Sequence, residues 1–227
     1  MTKGFEIVAA DSGSSARAGR ILTPHGAIET PAFAPVASQG TVKALLHDQV
    51  ESLGAQLILI NAYHLYLRPG LETVGAAGGV HRFISWDRPI LSDSGGYQIF
   101  SLGVLREIKE DGVLFQSHID GSRHFLTPEK VIEVQENIGA DILMCLDECV
   151  PYPSSYEYTK SSVELTSRWA RRCKETKKPD GTMLFGIVQG GFYHELRLKS
   201  AKELIEMGFD GYAIGGLSVG EPKSIMW

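Results

Sequence analysis

The sequence predicts an α/β protein of the (β/α)8 barrel type, with about six of the eight βα units present. Three observations predict it. Short apolar runs recur at 31–37, 56–65, 88–96, 140–148, 182–191 and 211–218. Several are apolar at successive positions, as strands covered on both faces are. Segments of helical period lie between them, and strands alternating with helices pair in parallel. An open doubly wound sheet would also accept six units, but its G-x-G-x-x-G fingerprint after the first strand is absent. A complete barrel needs eight units and typically about 250 residues, so two units are missing from this count.

The elements follow in order. Thr41 to Leu53 reads as a helix stopped by Gly54. After the third run, VLFQSHIDGSRHFL (113–126) breaks the alternation and reads as an inserted β-hairpin turning at Asp120-Gly121. Thr127-Pro128-Glu129 supplies a cap, a first-turn proline and an early acid; Val131, Val134 and Ile138 follow at helical spacing up to Gly139. Glu195 to Met207 carries Leu198, Ala201, Leu204 and Ile205 as a candidate buried face before Gly208. The basic stretch Arg168, Arg171, Arg172, Lys174, Lys177 and Lys178 reads as the solvated face of an outer helix.

Bulk properties bound the function. With 227 residues and no low-complexity linker, residues 1–227 read as a single domain, an incomplete barrel. Hydrophobic content is 43% and charged content 22%, ordinary for a globular protein. No apolar run approaches the ~20 residues of a membrane span, and no secretory signal precedes the first strand. Three cysteines argue for a reducing compartment, the cytoplasm. A net charge of −5 does not advertise nucleic-acid binding, though one local patch would suffice.

Barrel chemistry gathers where strands run out into loops. Here strand two delivers Asn61; strand three Asp93, Ser94, Tyr97 and Gln98; strand four Asp147 and Cys149; strand five Gln189; strand six Gly215 and Gly216. Each alone has an ordinary reading. Asp93 caps a turn, Asp147-Glu148 is a wet strand exit, Gln189-Gly190-Gly191 is a tight turn and Tyr97 is a core aromatic. Together they offer carboxylate acceptors, an amide that donates and accepts, open backbone N–H groups and a flat ring. A planar purine with a lactam edge requires that set. Cys145 reads as core packing, and Cys145-x3-Cys149 has no nearby histidine, so it is not a zinc site. His64, His81, His118, His124 and His194 lack metal-motif spacing and read as non-ligands.

The blocks LSDSGGYQIFSL (91–102), CLDECVPYP (145–153), GIVQGG (186–191), IGGLSVGEP (214–222) and NAYHLYLRPG (61–70) resemble the tRNA-guanine transglycosylase (queuine tRNA-ribosyltransferase) family, bacterial type. They are long, ordered and spread over most of the chain. The resemblance implies a (β/α)8 barrel that replaces guanine at the anticodon wobble position of tRNA with a 7-deazaguanine. Asp93 is then the general acid/base. Ser94, Gly95, Gly96 and Tyr97 hold and sandwich the base. Asp147 takes its N1–H and 2-amino edge. Gln189 and the Gly215-Gly216 backbone address O6, beside Leu217. Cys149 and Val219 favour 7-aminomethyl-7-deazaguanine over queuine.

The family's nucleophilic aspartate lies on the last strand, followed by a zinc subdomain with three cysteines and a histidine. Neither is in this sequence. The expectation is therefore a C-terminally truncated chain, inactive alone, whose full-length form carries zinc and is a homodimer. The alternative is a non-catalytic accessory subunit of a transglycosylase pair; retention of Asp93, Asp147 and Gln189 speaks against it. A lyase or aldolase on the same fold would want a strand-end lysine, and none is present.

Overall fold

A strand in a covered parallel sheet needs apolar side chains on both faces and an N–H at each residue, and five of the six apolar runs meet that need. In the computed structural model, which describes residues 4–102 and 106–227, these runs form parallel strands with helices between them. The first run, 31–37, makes one parallel bridge only, Val36 to Leu59. Pro31 and Pro35 carry no N–H to donate, so the run cannot sustain a ladder.

The chain divides into two compact units. One holds the chain up to Asp93 with Val134–Leu143 and Lys178–Met183; the other holds Ser94–Glu133, Met144–Lys177 and Leu184–Trp227. The first unit opens with an antiparallel meander that the apolar runs did not signal: β1 (Gly4–Ala10), β2 (Arg17–Thr23) and β3 (Gly26–Thr30). Next come α1 (His47–Ser52), β4 (Ile58–Asn61), α2 (Ala62–Leu67), α3 (Leu71–Ala76), α4 (Val80–Ile84) and β5 (Ile90–Asp93). The first helix is shorter than the expected 41–53, and Gly54 at φ +85° does stop it. β4 and β5 pair in parallel with Asn61 beside Asp93. Ile58, Ile60, Tyr63, Leu65, Val74, Val80, Trp86 and Ile90 form the core of this unit.

The second unit begins with α5 (Gly96–Leu102) and a second meander, β6 (Arg106–Lys109), β7 (Gly112–Gln116) and β8 (Arg123–Leu126). The expected hairpin is β7–β8, with Gln116 opposite Arg123 and Gly121 at φ +74° in the turn. β6, the polar REIK, was not foreseen, since an edge strand of charged residues has no apolar pattern to read. α6 (Pro128–Ile138) starts here and ends in the first unit; β9 (Ile142–Met144) runs the other way across that division. Leu91 pairs with Ile142 in the first unit, and the Cys145 N–H donates to the Phe185 carbonyl in the second. The rest is α7 (Tyr156–Thr176), β10 (Met183–Val188), α8 (His194–Met207), β11 (Gly211–Ile214) and α9 (Lys223–Met226).

Two details depart from expectation. β11 pairs in parallel with β10, from Phe185–Gly211 to Val188–Ile214, yet it is not covered: Ile214 is 72% exposed. On α8 the buried face is Leu196, Ser200 and Leu204, while Leu198 and Ile205 face outward. The i, i+4, i+8 stripe includes a serine that an apolar count passes over.

The basic stretch lies on α7 and its C-terminal exit, as expected of an outer helix, and much of its charge is matched internally. Arg168 grips Glu110 at 2.6 and 2.8 Å, and Arg172 grips Glu129 at 2.6 and 2.9 Å. Lys174 caps α8 by donating to the Met207 and Gly208 carbonyls. The Arg172 guanidinium holds the Glu129 carboxyl down at about 2. A glutamate with a depressed folded-state value stabilises above its ordinary value, about 4.3, and the contribution fades as pH falls toward the folded value. Glu129→Gln is expected to cost about 1 kcal/mol at neutral pH, since the pair is partly exposed and screened. The deficit should shrink in urea unfolding at about pH 2. An equal deficit at both pH values would refute the ion-pair account.

Candidate active site

At the end of the first unit's β4–β5 ladder, parallel register sets Asn61 and Asp93 side by side. The Asn61 amide donates to one Asp93 oxygen, and the Ala62 N–H donates to the other at 3.2 Å. Two donors from one neighbouring strand end fix the carboxylate's orientation. Asn61, noted in the sequence only as a strand-end residue, is thereby the partner that aims Asp93.

In the second unit two other chain segments converge on Asp147. Ser94, after β5, donates from its hydroxyl at 3.4 Å; Gln189, after β10, donates from its amide at 2.6 Å. Asp147 is 8% exposed and Gln189 2%. The Gln189 Oε1 is buried with no hydrogen-bond partner among the described residues. A buried acceptor without a donor costs about 1–3 kcal/mol, a cost that a water or another donor reaching this oxygen removes. Gln189 is anchored from behind, its N–H donating to Ser200 on α8 at 3.1 Å.

Glycines clear the space around this pair. A Cβ on Gly96 would sit 2.9 Å from Asp147 atoms, and one on Gly215 2.6 Å from the Gln189 amide. On Gly216, whose φ of +68° itself favours glycine, it would lie 2.7 Å from Gln189 Oε1. Gly95, at φ +79°, makes the turn between Ser94 and α5.

Glu148 is held apart from Asp147 by α7. Tyr158, Ser162 and Thr166, one face of that helix at four-residue spacing, engage respectively its carboxylate, its carbonyl and its N–H. The Asp-Glu dipeptide thus splits into one residue bonded to Gln189 and one fastened to the helix. The sequence showed the dipeptide but not the ladder that divides it.

Tyr97, Cys149 and Val219 meet in a cleft of about 220 Å³, with Ser101, Arg106 and Ser218. Tyr97 is 54% exposed, so it presents its ring to the cleft instead of filling the core. Burial, then the charge of Asp147, pushes the Cys149 thiol up to about 11. It stays protonated at neutral pH and lines the cleft without acting as a nucleophile. Leu217 is exposed on the loop after β11, and Glu221 pins that loop by accepting from the N–H groups of Ser218 (2.5 Å) and Val219 (2.7 Å).

Cys145 is buried, as its core reading expects, and lies beside Cys173, whose sulfur accepts from the Leu146 N–H. All three cysteines are free. Among the described residues no cysteine joins a cluster with metal-ligand spacing, so these residues do not fit a three-cysteine, one-histidine zinc site. Among the described residues, the one group that could share an ion is His25, His81 and Asp141, with ligand atoms within 4.8 Å of one another. His81 reads as a non-ligand in the sequence for want of metal-motif spacing; long-range folding of the first unit brings it here. Asp141 accepts from His25 at 2.7 Å, His81 at 3.1 Å and the Ile90 N–H at 2.8 Å, and hydrogen bonding already accounts for both its oxygens.

A buried carboxylate–carboxamide pair, with glycines packed against it where parallel strands end, gives this α/β protein a polar candidate site. Residues 11–227 match the family model described as Queuine tRNA-ribosyltransferase, and the chain belongs to that family. It is 57% identical to the queuine tRNA-ribosyltransferase of Acetivibrio thermocellus and 58% identical to that of Thermoanaerobacter sp. (strain X514), each over 98% of this chain and 60% of the relative. It is 55% identical to that of Halothermothrix orenii over 100% of this chain and 61% of the relative. The chain thus spans about 60% of the length of these curated relatives. Among the described residues no helix is long and apolar enough to cross a membrane.

Proposed function

We propose that this chain carries the base-recognition pocket of a tRNA guanine-exchange enzyme built on a (β/α)8 barrel. The observation that carries the reading is the Asp147–Gln189 pair. Asp147 presents a buried carboxylate to the N1–H and 2-amino group of guanine. Gln189 has a second amide hydrogen for O6 after the first is given to Asp147, and the Gly216 N–H is the other O6 donor. Tyr97 offers its ring as a stacking plate. Cys149 and Val219 bound the cleft on the side that admits the 7-aminomethyl group of the deazaguanine precursor.

Replacement of a base at an anomeric carbon follows the logic of retaining glycoside transfer. A carboxylate attacks C1′ as the C1′–N9 bond breaks, and Asp93 delivers the proton that guanine needs to leave. The incoming 7-deazaguanine then loses its N9 proton to Asp93 and displaces the carboxylate. Asp147 is not the attacking carboxylate in this scheme, because both its oxygens serve base recognition. A non-catalytic accessory role is the second reading, and the intact Asp93, Asp147 and Gln189 disfavour it.

Calorimetric titration of the chain tests the pocket. Guanine should bind and adenine, which lacks both the lactam N1–H and the 2-amino group, should not. Equal binding of the two, or no binding of guanine, would overturn the assignment.

A further inference from the structure

Arg197 is a half-buried cation with no role in the chemistry above. It lies on the first turn of α8, and burial lowers its pKa from the usual arginine range. Among the described residues it has no carboxylate partner. Its guanidinium instead donates to two backbone carbonyls, Gly191 at 3.3 Å and Gly215 at 3.0 Å. Those glycines belong to the loops after β10 and β11, the two loops that supply Gln189 and Gly216. The close approach is built in: Gly190 sits at φ +145°, and a Cβ there would lie 2.6 Å from the Arg197 backbone nitrogen.

The geometry has a directional consequence. A trans peptide is planar, with its C=O and the following N–H pointing opposite ways. Arg197 holds the Gly215 carbonyl, so the N–H of Gly216 points away from Arg197. That N–H lies toward the Cys149 thiol, one wall of the cleft. The other side of Gly215 is fixed as well, its own N–H donating to the Val188 carbonyl at 2.9 Å. The peptide is thereby held on both sides, and a positive charge stands behind its carbonyl.

We propose that Arg197 is a positioning residue for recognition of the base's O6: it aims the Gly216 N–H into the pocket and polarises that peptide so the N–H donates more strongly. A donor held in advance, backed by a cation in a site of low dielectric, favours negative charge that builds on the base. Departing guanine carries such charge on its lactam oxygen as the glycosidic bond breaks. The proposal rests on the guanine reading of the pocket.

The test pairs guanine with 6-thioguanine, which keeps N1–H and the 2-amino group but replaces O6 with sulfur, a poor acceptor. Titration of the wild-type chain should show preference for guanine. Arg197→Gln should weaken guanine at least about tenfold, the scale of one hydrogen bond to a polarised donor, and 6-thioguanine by less than about twofold, so the preference collapses. Arg197→Lys keeps the charge but not the two-pronged grip and should fall between; it carries the test if Arg197→Gln does not fold. An equal loss for both bases would show a merely structural role and overturn the proposal, as would an unchanged preference. Wild-type chain that does not bind guanine would overturn the pocket reading itself, a result distinct from either.

Discussion

In a chain of the relatives' full length, Asp93→Asn is expected to stop exchange of radioactive guanine into tRNA while leaving guanine capture nearly unchanged. Proton transfer by a positioned carboxylate contributes about 10²- to 10⁴-fold, and an amide cannot carry the proton. The Ala62 N–H would still donate to the side-chain oxygen, and the Asn61 amide, turned over, would accept from the new amide nitrogen. Asp147→Asn should act on the other quantity. It keeps the shape but turns one acceptor oxygen into a donor facing donors, from Gln189 within the protein and from N1–H and the 2-amino group of the base. Loss of charge-assisted bonds of about 1.5–3 kcal/mol predicts guanine binding weaker by roughly 10- to 100-fold. Calorimetry reads the second effect and tRNA labelling the first. Label that survives Asp93→Asn, or guanine affinity untouched by Asp147→Asn, would remove that residue from its role.

The largest expected effect on stability falls in the first unit, on a residue outside the candidate site. Asp141 is 1% exposed and ties His25, His81 and the first N–H of β5 together. Asp141→Ala should destabilise the first unit by about 3 kcal/mol, because it strands a buried N–H and the buried imidazole of His81. Burial pushes the Asp141 carboxyl up, but the hydrogen bonds from His81, His25 and Ile90 outweigh it and hold it below its usual value. The sign follows: a depressed carboxyl stabilises above its unfolded value, about 3.9, and the contribution is lost as pH falls through the folded value. Wild type should therefore lose stability in acid faster than the alanine variant. Urea unfolding at neutral pH and at about pH 3 measures both, and a variant within about 0.5 kcal/mol of wild type at neutral pH would discard the account.

Much of the site was legible because its residue types are exposed by position. Asp93, Ser94, Asp147, Gln189 and Gly216 each lie near the end of an apolar run, where a strand gives way to a loop. The β7–β8 hairpin and the starts and stops of α6 and α8 were legible too, since a Thr-Pro-Glu start, an Asp-Gly turn and glycine stops act within a few residues. Where the signal was composition alone, it misled: 31–37 makes a single parallel bridge to β4 in place of a strand, and α8 buries Ser200 instead of Leu198 and Ile205. β1–β3 and the polar β6 went unread because these strands are largely exposed and show no buried-face alternation.

What the sequence by itself determined is the family, the order of the parallel units and the list of polar groups at their ends, all set by local pattern and short motifs. Only the tertiary structure decided how those groups are used. It turned Gln189 onto Asp147 and left its oxygen without a donor among the described residues; it fastened Glu148 to α7, stacked His25 on His81 over Asp141, and set Arg197 behind the Gly215 carbonyl. These are contacts between residues far apart in the chain, or hydrogen bonds whose direction depends on a peptide plane. Periodicity and spacing carry no record of either, because both are fixed only when strands and helices pack.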